Sequence, residues 1–185
     1  DFFNAMFGSQ ERRRTANAPF GRQAPKLDLE KTVAISLEEA FTGTEVTFDH
    51  HGSKLTAKIP AGAKTGTKIR LRGKGYVGNN GAKGDLYLLT KVEPHPVFER
   101  AGSTLEVNVA TPVTTAVLGG KVTVPTLTGD VRLTIPAGTQ GGQTFRLRGK
   151  GMPHLRNNKQ YGDLLATIHI EIPQTLTPAE QEHYQ

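Results

Sequence analysis

One block of this chain is written twice. Ile59-Pro60-Ala61-Gly62, Gly66 and Arg70-Leu71-Arg72-Gly73-Lys74-Gly75 return as Ile135-Pro136-Ala137-Gly138, Gly142 and Arg146-Leu147-Arg148-Gly149-Lys150-Gly151, 76 residues later and in the same register. Upstream, Leu29-Glu30, Val33-Ala34, Ala40, Gly43 and Val46-Thr47 keep the same offset to Leu105-Glu106, Val109-Ala110, Ala116, Gly119 and Val122-Thr123. After a two-residue insertion, Gly84-Asp85-Leu86 matches Gly162-Asp163-Leu164. A period of this length is that of a small domain and not of a solenoid unit, so the chain reads as two tandem copies of one fold. Copies of this size sit near the lower limit for a self-sufficient core, and the two are expected to lean on each other.

The pattern along the chain divides it into residues 1–26, 27–96, 97–173 and 174–185. The first segment scatters Phe2, Phe3, Phe7 and Phe20 among glycines, prolines and Arg12-Arg13-Arg14 without helical or strand period, which reads as a flexible linker. From Leu27 the period becomes two, with Leu27, Leu29, Val33 and Ile35 on one face interrupted by Lys31. Ser36 and Glu39 form a capping-box signature for a short helix over 37–42, with Gly43 as its stop. In the second copy Thr111 is the expected cap, Pro112 the first helical residue and Gly119 the stop. Further strands are expected over 45–50, 55–59, 68–72 and 85–92. The fold class is therefore mostly β: two tandem barrel-like β-sandwich domains, largely antiparallel, each with one short helix. Glu93-Pro94-His95-Pro96 reads as a stiff, extended hinge. Thr177, Pro178 and Glu180 read as the start of a truncated C-terminal helix.

Several chemistries lack the residues they need. With no cysteine, disulfides and thiolate metal sites are excluded, which fits a reducing compartment. His50 and His51 are adjacent, so on a strand they point to opposite faces and share no metal. Neither a nucleophile elbow nor a His-Glu-x-x-His helix occurs, and Gly73-Lys74 is followed by glycine where a phosphate loop needs Ser or Thr. The chain reads as a non-enzyme without cofactor or metal. No apolar run approaches the roughly 20 residues of a membrane span.

Two patterns carry possible function. Lys68, Arg70, Arg72 and Lys74 form a basic row that Arg146, Arg148 and Lys150 repeat. It is either a solvated strand face or a surface for the DNA backbone, to which a net charge of +6 lends itself. The copies also differ in apolar bulk. Val46, Phe48 and His50 meet Val122, Val124 and Thr126, and Leu86 and Leu88 meet Leu164 and Ala166, so Phe48 and Leu88 are either core or the wall of an open apolar groove.

Ser36-Leu37-Glu38-Glu39-Ala40, Gly43, the two Ile-Pro-Ala-Gly and Arg-Leu-Arg-Gly-Lys-Gly blocks, Gly84-Asp85-Leu86 and His95-Pro96-Val97-Phe98 together resemble the C-terminal substrate-binding region of DnaJ-family co-chaperones. Here His51 to Leu55 runs on without the cysteine-rich insertion of zinc-bearing members, so the chain is similar to the zinc-free class that includes the curved DNA-binding protein A. The resemblance implies a groove for apolar segments of unfolded client polypeptides, mapped onto Val33, Phe48, His50, Leu86 and Leu88. It implies a DnaK-type partner in the cytoplasm and a homodimer in the longer protein. His50 stands where an aliphatic residue is usual, and Lys31 where relatives can be apolar. The His-Pro-Asp tripeptide of the J domain does not occur in these residues. Nucleoid-associated DNA binding through the basic rows and docking of an acidic DnaK tail are the rival functions.

Overall fold

The computed structural model of the protein describes residues 27–175 and 177–183, so the linker expected over 1–26 lies outside the described residues. The first copy contains β1 (Leu29–Ile35), α1 (Leu37–Thr42), β2 (Thr44–His50), β3 (Ser53–Ile59), β4 (Lys68–Leu71) and β5 (Leu86–Val92). The second contains β6 (Phe98–Ala101), β7 (Thr104–Pro112), α2 (Val113–Leu118), β8 (Gly120–Val124), β9 (Val131–Ile135), β10 (Thr144–Leu147), β11 (Pro153–His154), β12 (Asn157–Tyr161) and β13 (Leu164–Glu171), followed by α3 (Pro178–His183). The helix expected at Pro178 is present; the capping role expected for the Glu180 side chain lies outside the described side chains.

Each copy is a sheet faced by a hairpin. In the first the sheet order is β1-β5-β4 and the hairpin is β2–β3; in the second the order is β10-β13-β7-β6 and the hairpin is β8–β9. The apolar sides of sheet and hairpin share one core, in which Ile35, Ile59, Leu86 and Leu88 of the first copy and Leu105, Ile135, Leu164 and Ile168 of the second are fully buried. The expected mostly β sandwich with largely antiparallel pairing is present, and two details refine it. The central pairs, β1 with β5 and β7 with β13, are parallel, whereas the remaining pairs are antiparallel. No sheet closes into a barrel: the strands of each hairpin pair only with each other, and an open sandwich results.

The turns explain why the repeated motif is repeated. Asp85 accepts from Arg70 Nε through Oδ2 at 2.5 Å and from the Gly73 amide through Oδ1 at 2.8 Å, so one carboxylate fastens the end of β4 to the start of β5. Asp163 does the same with Arg146 Nε at 2.6 Å and the Gly149 amide at 3.0 Å. Behind this clasp the Tyr76 amide donates to Leu27 O at 2.7 Å and the Gly75 amide to Gly84 O at 2.8 Å. A Cβ on Gly84 would overlap the Leu27 carbonyl, and one on Gly162 the Ser103 carbonyl, so both positions need glycine for close backbone approach.

The helices start differently. Ser36 Oγ accepts from the Glu39 amide at 3.1 Å while Glu39 Oε2 accepts from the Ser36 amide at 2.8 Å, which is the expected capping box. In the second copy the cap falls at Pro112, not Thr111, and has no side-chain hydrogen bond. Strand β7 runs through Pro112, which leaves the Thr111 side chain buried and donating to Val109 O at 3.3 Å.

The copies are locked together. Arg100 donates from Nη1 to Ala63 O at 2.8 Å and from Nη2 to Gly62 O at 3.3 Å, reaching from β6 into the first copy. The hinge histidine is part of the lock: His95 Nδ1 accepts from the Val97 and Phe98 amides, both at 3.1 Å, while Nε2 meets Glu38 of α1 at 3.0 Å. Phe41 and Tyr161 rings pack across the junction at 5.8 Å.

Two outcomes follow from this packing. Leu88→Ala should destabilise the protein by about 2–5 kcal/mol in urea melts, because it opens a cavity in a filled core. The Asp85 pKa is lowered, first by the Gly73 amide and then by Arg70, and that of Asp163 likewise by Gly149 and Arg146. Stability from a depressed carboxylate is complete above the ordinary range near pH 4 and lost as pH falls through the depressed value. The urea-midpoint gap between wild type and Asp85→Asn should therefore be widest near neutral pH and shrink as pH drops from about 5 to about 2.

Candidate functional site

The loop His51-Gly52 joins β2 to β3 in two residues, with φ of 48° and 75°. Positive φ at both positions is the signature of the tight hairpin turn whose twist matches its strands. Such a turn makes His50↔Ser53 the closing hydrogen-bonded pair, and the alternation along an antiparallel ladder then points the amides and carbonyls of Glu45, Thr47 and Asp49 away from β3. The Thr47 and Thr56 hydroxyls lie 3.0 Å apart, as expected of the closer, non-hydrogen-bonded pairs. No described strand covers that side of β2. The hairpin thus leaves an edge with backbone groups to spare.

Side chains alternate across the same strand. Glu45, Thr47 and Asp49 are exposed, whereas Val46, Phe48 and His50 turn inward and are half-buried, Phe48 packing against the core beside Leu55. Opposite them, on β1, Lys31 faces inward in the register of Leu88. Its Nζ lies 4.6 Å from the Phe48 ring centroid and donates to Asp49 O at 3.3 Å, on the open edge. Both contacts bridge β1 to β2, and the ammonium over the ring is a cation–π pair. The hairpin tip is tied down in turn, since the His50 and His51 rings meet at 4.3 Å and those of His51 and Tyr76 at 6.1 Å. His50 Nε2 is buried without a hydrogen-bond partner among the described residues.

The five residues expected to line a groove therefore occupy two levels. Val33 retains 8% of its surface and Leu86 and Leu88 retain none, so these three form the filled core beneath. Phe48 and His50 lie above it and are half-buried. Lys31 and the outward backbone of Glu45, Thr47 and Asp49 are the parts that residue pattern alone did not single out. The two-residue loop before Ser53 was the available signal for the edge.

Three of the seven side chains of the basic rows are paired with carboxylates. Lys68 pairs with Glu30 at 2.7 Å, Arg70 with Asp85 and Arg146 with Asp163, and the charges of Arg72 and Arg148 act on the same two aspartates. Strand β4 ends at Leu71, so Arg72 and Lys74 lie in the turn, and Arg148 and Lys150 likewise follow β10. Among the described residues no group of side chains is arranged to hold a metal ion, and no helix is long and apolar enough to cross a membrane.

Comparison with known proteins places this arrangement. Residues 29–173 match the model of the DnaJ C terminal domain. The DnaJ-like protein slr0093 of Synechocystis sp. is 41% identical over 163 residues, covering 88% of this chain and 48% of that protein. The chaperone protein DnaJ of Opitutus terrae is 47% identical over 131 residues, and that of Streptococcus pyogenes 49% over 133, covering 70% and 71% of this chain but 34% and 35% of those proteins. The chain spans about half the length of the first relative and about a third of the other two. Two copies of a sheet faced by a hairpin, bound by Asp85 and Asp163 and matched over both repeats, identify the chain as a member of the DnaJ C-terminal domain family.

Proposed function

We propose that the first copy captures extended, apolar-rich segments of unfolded client polypeptides. The observation that carries this reading is the unpaired outer edge of β2 running beside half-buried Phe48. A client backbone pairs with the amides and carbonyls of Glu45, Thr47 and Asp49, and alternate client side chains turn inward over Phe48 and His50. Backbone pairing is blind to sequence, so many clients fit. Val33, Leu86 and Leu88 serve as the rigid floor that keeps Phe48 in place.

Burying one Leu or Phe contributes about 1.5–3 kcal/mol, and ordering the client opposes it, so a single groove binds at about micromolar affinity or weaker. In the longer protein, a homodimer would hold two grooves on one client and gain by avidity. Delivery to a DnaK-type partner is the role this binding supports.

The second copy is the weaker candidate for the same role. Val124 and Thr126 stand at the places of Phe48 and His50 and are both buried, which leaves that copy no half-buried ring there. DNA binding has less to rest on, because the carboxylates of Glu30, Asp85 and Asp163 already pair with three of the seven basic side chains in the rows.

Phe48→Ser should weaken binding of an apolar peptide by about 1–3 kcal/mol, read by fluorescence anisotropy at a temperature where melts show the variant folded. Unchanged affinity in the folded variant would place the groove elsewhere. Duplex DNA, titrated in parallel, should bind weakly and lose affinity steeply between low and high salt while the peptide's affinity barely moves. Tight, salt-resistant DNA binding would reverse this ranking.

A further inference from the structure

The histidine at the hinge is bonded in a way that only one of its charge states allows. His95 Nδ1 accepts from the Val97 and Phe98 amides, both at 3.1 Å, and its Nε2 lies 3.0 Å from Glu38 Oε1. A backbone amide can only donate, so Nδ1 must keep its lone pair. The ring proton is then on Nε2, where it is donated to Glu38. The ring in this arrangement is neutral. Its position is also well fixed, because Phe98 packs on it at 5.2 Å and only 16% of its side chain is exposed.

A second proton has one place to go, and that is Nδ1. There it turns an acceptor into a donor that faces two other donors, so both amide bonds are lost. Phe98 retains 7% of its surface, and an amide deprived of its acceptor in such a place is costly. At Nε2 the change has the opposite sign, because the hydrogen bond to Glu38 becomes an ion pair. Glu38 belongs to α1 of the first copy, whereas Val97 and Phe98 open the second. The proton thus cuts the bridge at one end and strengthens it at the other.

The surroundings leave this titration to the histidine. Lys64, Glu93, Glu99 and Arg100 line the cleft on one side of the ring, and Glu99 and Glu106 line the cleft on the other. Carboxylates, ammonium and guanidinium groups are classes that hold their charge between pH 8 and pH 5, and imidazole is the class that changes it. The Glu38 carboxyl is held below its ordinary value, first by its own backbone amide and next by Ser36, which keeps it an anion over that range.

We propose that His95 is a proton-operated clasp between the copies. Neutral, it ties the start of the second copy to α1 of the first; protonated, it stays with Glu38 and releases Val97 and Phe98. The arrangement of the two copies therefore loosens as pH falls below neutrality. This device is independent of what the groove at β2 binds.

The test is amide hydrogen exchange by NMR between pH 7.5 and pH 5.5, corrected for the intrinsic pH dependence of exchange. Protection of the Val97 and Phe98 amides in wild type should fall about tenfold, while the Gly142 amide, bound to Ile168 O, keeps its own. His95→Asn places a non-titrating oxygen where Nδ1 stands and should make that protection independent of pH. Glu38→Gln removes the anion that favours the charged ring and should move the loss to lower pH. Because the chain has no cysteine, spin labels at Lys58→Cys and Thr134→Cys, both exposed, report the spacing of the copies, and their distance distribution should broaden at pH 5.5. Protection that stays constant in wild type, or that falls equally in His95→Asn, overturns the proposal. A distribution that stays narrow while protection is lost overturns it as well, since the clasp would then open without freeing the copies. Should His95→Asn fail to fold, Glu38→Gln decides instead, and an unmoved transition there counts against the clasp.

Discussion

Each copy of this fold is held by the parallel pairing of its first long strand with its last. Leu29 through Ile35 runs beside Leu86 through Val92, and Leu105 through Pro112 beside Leu164 through Glu171, so the two ends of each repeat lie side by side and anchor the segments between them. Such contacts are far apart in sequence, and the loop-closure entropy must be met by what the pairing buries. The inner face of β5 supplies it with Leu86, Leu88 and Thr90, each with at most 1% exposure. The clasp at Asp85 then sits where the paired strands begin, its backbone amide donating to Asp28 Oδ1 at 2.8 Å. The repeated basic motif is consequently a structural device first: its arginine and its glycine turn are both bound by the aspartate that opens the last strand.

The two copies use one plan to different ends because their edges differ. In the second copy β6 covers the outer edge of β7, with Phe98 opposite Val107 and buried to 7%. Among the described residues nothing covers the corresponding edge of β1. Since β6 also carries Arg100 into the Gly62 and Ala63 carbonyls, the strand that closes the second copy is the one that fastens it to the first. Gly62 lies against the β11–β12 hairpin so closely that a Cβ there would come within 2.5 Å of Pro153 O. The junction is therefore set by backbone fit and hydrogen bonds, and the hinge His95-Pro96 is held by its own side chain as well as by proline stiffness.

Much of this was legible in the residues. The capping box at Ser36, the strand from Lys68, the repeat offset and the glycines of the clasp each rest on a local rule that tertiary structure left standing. What period two could not decide is which of two apolar faces is covered. Tyr87 and Leu89 share a strand with Leu86 and Leu88, and all four are bulky enough for either side. Only the pairing with β1 and the packing of the hairpin bury the even-numbered pair. Thr111 misled for a related reason, because a residue that caps well also sits well at the end of a strand, and β7 claimed it. The place of Lys31 over Phe48 was beyond local reading altogether, since the two are brought together from strands in different layers.

An open strand edge beside an aromatic side chain is a hazard as well as an instrument. Any extended chain, including another copy of this one, can add to unpaired amides and carbonyls, and natural sheets commonly guard such edges with lysine or inward-pointing charge. Lys31 meets that description from across the groove, occupying Asp49 O and placing a cation where an apolar strand would lie. A stronger guard, such as a covering strand like β6 in the second copy, would close the edge to any added strand. An aliphatic residue would leave the edge open to every apolar segment. A single 3.3 Å hydrogen bond from a flexible side chain lies between these, occupying the edge yet weak enough for another strand's amide to displace. Under the proposed client binding, the requirement that a groove be both available and not self-adhesive is met by the strength of one contact.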